Sequence, residues 1–84
     1  MKPVTLYTTA MCPYCEGAKA LLKKRGVAFE EINLSRDPDN RQQMIDMSGM
    51  STFPQIVVDG ESIGGFNELR EADRNGRLAE LLSD

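Results

Sequence analysis

Only two side chains in this 84-residue sequence are ready nucleophiles of the soft kind, Cys12 and Cys15, and they stand together in "TAMCPYCE", separated by Pro13 and Tyr14. Two thiols three positions apart can staple a fold, furnish half of a metal site, or exchange electrons as a dithiol. A zinc site normally takes four ligands, and the sequence holds two cysteines and no histidine. Metal binding within one chain is therefore disfavoured, and no resident metal is expected. Pooling of cysteines by two chains, or completion of a cluster by a small thiol, stays open. The N-terminal "MKPVTLYTT" carries one charge and no apolar core, so it does not read as a secretory signal. The expected compartment is the reducing cytoplasm, where a lasting structural disulfide is disfavoured. A redox dithiol is the chemistry that the pair favours.

The elements around the pair decide whether that chemistry can run. "PVTLYTT" (3–9) is rich in β-formers and reads as a strand. From Pro13 to Arg25, Cys15, Ala18, Leu21, Leu22 and Arg25 recur at helical spacing, with proline at the first turn and Gly26 after the last. Cys12 then lies in the strand-to-helix loop and Cys15 in the first helical turn. Unpaired N–H groups and the positive end of the helix dipole favour a thiolate at Cys12. Cys12 is expected to be the nucleophile and Cys15 the resolving thiol.

"VAFEEINL" (27–34) reads as a second strand with a blurred period. A second helix is expected from a cap at Asp37 through Met44, Ile45 and Met47 to Gly49. "PQIVVDGES" gives a β-branched strand and an Asp59-Gly60 hairpin signal, with "SIGG" returning. Two short helical pieces around Gly76 close the chain. The order β-α-β-α-β-β-α predicts an α/β fold, one domain spanning 1–84, with a four-stranded mixed sheet flanked by helices.

Composition excludes several other classes. No apolar run is long enough to cross a membrane. A net charge of −3 argues against general nucleic-acid binding. The charge is uneven: residues 1–25 carry five basic residues against Glu16 alone, a net +4. Lys23-Lys24-Arg25 reads as the solvated basic end of a helix, and the methionines Met44 and Met47 as core filler, with Met11 and Met50 less settled.

Taken together, Cys12-Pro13-Tyr14-Cys15, then "TFPQ" (52–55), then "GGFNEL" (64–69), in this order and spacing, resemble the glutaredoxins, specifically the small bacterial dithiol class. The resemblance runs essentially end to end. It implies a thioredoxin-like fold and glutathione-dependent reduction of protein disulfides and glutathione mixed disulfides. Glutathione would be the co-substrate, with glutathione reductase and NADPH upstream, in a cytoplasmic monomer. It implies a cis peptide before Pro54, which would turn the Phe53 backbone toward the cysteinyl part of glutathione. Thr52, Phe53, Pro54 and Tyr14 would line the groove. Gly65, with Gly64, would let the backbone pass close to the ligand. The helix start at Phe66, Asn67 and Glu68 would offer backbone N–H groups to the γ-glutamyl carboxylate, Glu68 would meet the α-amino group, and Arg41 the glycyl carboxylate. Two other readings remain: a thioredoxin-type general reductase, and a non-catalytic iron–sulfur carrier bridging two chains with glutathione. Where family members often carry Lys before the first cysteine and a basic residue after the second, this chain has Thr9 and Glu16. That departure predicts weaker glutathione binding or a less depressed Cys12 pKa.

Overall fold

The computed structural model describes residues 1–36 and 38–84. The expected cap at Asp37 lies outside the described residues. The elements are β1 (Val4–Thr8), α1 (Pro13–Lys24), β2 (Glu30–Asn33), a 3₁₀ turn (Pro38–Asn40) leading into α2 (Arg41–Ser48), β3 (Gln55–Val58), β4 (Glu61–Gly64), α3 (Phe66–Arg74) and α4 (Arg77–Leu82). They form one four-stranded sheet in the order β2-β1-β3-β4. β1 runs parallel to β2 and antiparallel to β3, and β3 and β4 form a hairpin. The hairpin turn has positive φ at both Asp59 (52°) and Gly60 (81°), the twist that a two-residue connection requires.

Alternation along the strands divides the core in two. Val4 and Leu6 of β1 and Ile56 and Val58 of β3 meet Ala18 and Leu22 of α1 and Leu69 and Ala72 of α3. On the opposite face Tyr7 and Val57 meet Leu34, just after β2, and Met44 of α2. Leu6, Leu22, Ile56 and Leu69 are fully buried. Each removes enough apolar surface from water to contribute roughly 2 kcal/mol. The helices thus clamp the sheet from both sides, and the C-terminal end of β1 is where the chain emerges into the cysteine loop.

β2 is shorter than the 27–34 expected. Val27 is buried and Phe29 half-buried on the α1 side, but both precede the paired residues. The period is blurred because Glu31, paired across from Leu6, directs a carboxylate to the same face as Thr8 and Lys19. Arg25, expected as a solvated helix end, is exposed yet pairs with Asp73 at 2.8 Å, tying α1 to α3. No helix among the described residues is long and apolar enough to cross a membrane.

Candidate active site

Cys12 is the N-cap of α1, with extended backbone (φ −119°, ψ 97°), and Pro13 occupies the first turn, where its missing N–H costs nothing. The Cys15 N–H donates to Cys12 Sγ at 3.1 Å, so a sulfur does what a serine or aspartate oxygen does at most helix starts. Cys12 and Cys15 are joined as a disulfide with Cα atoms 5.2 Å apart. Cys15 is 1% exposed, whereas Cys12 is half-buried, so the two sulfurs differ in access as the sequence predicts. Met11, immediately before, has φ 55° and is fully exposed. When the disulfide is reduced, the Cys15 N–H and the helix end favour negative charge on Cys12 over the buried Cys15.

One flank of this loop is charged. Thr8, buried at the end of β1, donates its hydroxyl to Glu31 Oε2 at 2.7 Å. Lys19 reaches the same oxygen at 3.2 Å and Glu16 Oε2 at 2.7 Å. The Thr8 hydroxyl, and secondarily Lys19, hold the Glu31 carboxyl below its ordinary value against the opposing effect of burial. The Glu16 carboxylate, ahead of Glu31, holds Lys19 above its ordinary value. The network joins Thr8, just before the cysteine loop, to Glu16, whose N–H donates to the Cys12 carbonyl at 3.2 Å.

The other flank is a cleft of about 260 Å³ lined by Tyr14, Thr52, Phe53, Pro54, Gly65, Phe66, Asn67 and Glu68, together with Met50 and Gln55. Eight of the nine non-cysteine positions named from the sequence therefore line one cleft, which Tyr14 joins to the cysteine loop. Arg41, the ninth, is exposed at the start of α2 and is not among the lining residues. The Phe53–Pro54 peptide is cis, as expected. Tyr14 is 63% exposed and packs its ring 6.0 Å from that of Phe66. Gly65 runs so close to Pro54 that a Cβ there would lie 3.2 Å from the proline carbonyl. Gly64 has φ 108°, and a Cβ on it would meet Glu68 Cγ at 2.8 Å. The Glu68 carboxylate accepts from the Gly65 N–H at 3.0 Å, capping α3.

Two lining residues carried no role in the sequence. Met50 is a loop side chain, 38% exposed, with no periodic signal to mark it. Gln55 reads as an ordinary strand residue but is wholly buried, with Nε2 donating to the Thr52 carbonyl (3.0 Å) and hydroxyl (3.1 Å). Larger clefts lie elsewhere, of about 490 Å³ between Val27 and Leu82 near the chain ends, about 480 Å³ beside Lys19 and Glu31, and about 430 Å³ along α3 and β4, but none of them is lined by Tyr14 of the cysteine motif.

A family profile described as Glutaredoxin matches residues 4–63. Glutaredoxin 3 of Escherichia coli strain K12 is 44% identical over 82 residues, spanning 98% of this chain and 99% of the relative. The solution structure of glutaredoxin from Brucella melitensis superposes with a TM-score of 0.83 at 43% identity, covering 98% of this chain and 89% of that one. The crystal structure of a buckwheat glutaredoxin–glutathione complex gives a TM-score of 0.87 at 26% identity, covering 96% and 76%. Full-length likeness in sequence, the same thioredoxin-like sheet and an intact cysteine pair put this chain in the glutaredoxin family of thiol–disulfide oxidoreductases.

Proposed function

We propose that the protein reduces protein disulfides and glutathione mixed disulfides with glutathione as co-substrate, Cys12 serving as nucleophile and Cys15 as resolving thiol. The observation that carries this reading is Cys12 Sγ, half-buried, accepting the Cys15 N–H at the start of α1 while Cys15 itself is closed to solvent. The Cys12 thiolate attacks the glutathionyl sulfur of a mixed disulfide. A Cys12–glutathione disulfide forms, and the substrate thiolate leaves and takes up a proton. The thiolate of a second glutathione attacks the glutathionyl sulfur, releasing oxidised glutathione and the Cys12 thiolate. With a protein disulfide, Cys15 instead attacks Cys12 in the protein–protein mixed disulfide, expels the substrate's second thiol, and leaves the Cys12–Cys15 bond. Two glutathiones then supply the two electrons that restore the dithiol, and glutathione reductase with NADPH recycles them.

The cleft beside Tyr14 is the seat proposed for glutathione. The Phe53 backbone pairs with the cysteinyl residue as a short ladder. The first N–H groups of α3, at Phe66 and Asn67, take the γ-glutamyl carboxylate. Glu68 takes the α-amino group, and Arg41 the glycyl carboxylate from outside the cleft. The buckwheat relative, whose structure is of a glutathione complex, supports this assignment. The reaction draws on a reduced glutathione pool, so the protein is placed in the cytoplasm and works as a monomer.

The test is a coupled assay on a glutathionylated peptide with glutathione, glutathione reductase and NADPH. Cys12→Ser abolishes turnover, whereas Cys15→Ser keeps mixed-disulfide reduction and loses reduction of protein disulfides. An active Cys12→Ser protein overturns the assignment of the nucleophile. Turnover supported by a thioredoxin reductase but not by glutathione overturns the co-substrate.

A further inference from the structure

Gln55 is the first residue of β3 and follows Pro54 directly. It pairs across from Tyr7, which puts its side chain on the α2 face of the sheet, under the loop that leads into the cleft. The side chain is 0% exposed. Its Nε2 donates twice, to the Thr52 carbonyl at 3.0 Å and to the Thr52 hydroxyl at 3.1 Å. A carbonyl oxygen can only accept, so the amide nitrogen must face Thr52 and the amide oxygen must face away. That oxygen, Oε1, is buried with no hydrogen-bond partner among the described residues. A buried polar atom left unpaired costs about 1–3 kcal/mol, and an apolar side chain of the same shape carries no such cost. The unpaired oxygen offsets much of what the two donated bonds contribute to the fold, so the residue's value lies in what the nitrogen holds.

What it holds is Thr52, an exposed residue one step before Phe53. We infer that Gln55 is a positioning residue of the glutathione cleft: its amide fixes the Thr52–Phe53 backbone so that the Phe53 N–H and C=O face the ligand. This rests on the function proposed above. Gln55 touches no reacting atom, and its donors reach the ligand only through Thr52. Releasing Thr52 lets the segment sample arrangements in which the Phe53 ladder cannot form. Apparent affinity then falls in proportion to the fraction of molecules in the competent arrangement. Cys12 hangs on the start of α1, a separate element, and keeps its acidity.

Gln55→Met tests this, since it preserves volume while removing both donors and the unpaired acceptor. In the coupled assay KM for a glutathionylated peptide rises about tenfold with kcat unchanged. The pH profile of Cys12 alkylation by iodoacetamide stays where it was, and the melting temperature changes little. Thr52→Val, on an exposed residue, removes one of the two acceptors and raises KM about threefold; the double variant matches Gln55→Met because both changes cut one link. The Thr52 variant reads the same link should Gln55→Met not fold. A lower melting temperature with unchanged KM, equal losses in kcat and kcat/KM, or additive effects in the double variant would each overturn the inference. A wild-type protein without glutathione-dependent turnover removes the functional reading and this inference with it. Wild-type turnover with an unchanged KM in both variants removes the inference alone.

Discussion

The two flanks of Cys12 are built from different materials. On the α1–β2 side the groups are charged, but they are committed to each other: Lys19 is shared between Glu16 and Glu31, and Glu31 also accepts from Thr8. Lys19 is held by both carboxylates and Arg36 also acts on Glu31, so the cations of that flank are already engaged with carboxylates. On the β3–α3 side the cleft is walled by backbone brought close by Gly64, Gly65 and Pro54, with the first turn of α3 behind it. The charged flank ties β1, α1 and β2 together around the cysteine loop, and in the function proposed here the backbone flank supplies the donors. A site arranged this way depends on chain geometry more than on side-chain charge, and its sensitivity to substitution should follow that division.

The sharpest break lies on the backbone flank. Gly64 has φ 108°, which a residue with a Cβ reaches only at a cost of about 1–3 kcal/mol. A Cβ there would also stand 2.8 Å from Glu68 Cγ. Glu68 can swing away, but only by giving up the Gly65 N–H, a capping bond of about 1 kcal/mol. Gly64→Ala is therefore expected to lower unfolding stability by about 3 kcal/mol in a urea titration. It should also raise KM for a glutathionylated peptide. A variant within experimental error of wild type in both would show that the close approach is not needed.

On the charged flank the effect should be smaller and pH-dependent. Thr8 is 1% exposed, and Thr8→Val keeps its volume while deleting the bond to Glu31. Glu31 is partly open to water and can rehydrate, so the expected loss at neutral pH is about 1.5 kcal/mol. The Glu31 carboxyl lies below its ordinary 4.5 in the folded state. Its contribution is present above that value and is lost as pH falls through the folded one. Lys19 lies above its ordinary 10.5, so its contribution is full below that value and is lost as pH rises through the folded one. The network therefore stabilises across the interval between, and Thr8→Val should make the acid-side fall in stability shallower. An unchanged acid limb would mean that Glu31 gains nothing from Thr8.

The same division explains how much could be read in advance. The hairpin at Asp59-Gly60, the helix ends at Gly26 and Gly49, and the proline start of α1 are local signals, and each stands where the sequence puts it. The cleft was legible only as a set of motifs whose spacing resembles a family, since Phe53, Gly65 and Asn67 have no individual signature. Nothing local marks the Thr8–Glu31–Lys19 network, because its members come from β1, β2 and α1 and meet only after the sheet forms. Gln55 was legible only as the last residue of the 52–55 motif, and its buried role was not, for a related reason. Its burial depends on the loop that folds over it, and a glutamine beginning a strand ordinarily faces water. Arg41 shows the converse: a family position carried over to a helix start that the cleft does not include.

The smallest expected effect tests whether the missing cation matters at all. Thr9 is half-buried three residues before Cys12, and Thr9→Lys would place an ammonium that neither Glu16 nor Glu31 already holds. At a separation of roughly 7 Å in a water-like dielectric, a unit charge stabilises the thiolate by about 0.6 kcal/mol, or about half a pH unit. The sign is fixed: a cation favours the thiolate, so the alkylation profile of Cys12 should move toward acid. Glu16→Gln, which removes a carboxylate one turn along α1 and releases one of the two holds on Lys19, should move it the same way by less. Added salt should shrink both shifts, because the charges are near the surface. If neither variant moves the profile, the acidity of Cys12 belongs wholly to the Cys15 N–H and the end of α1, and the charged flank is a structural tie and nothing more.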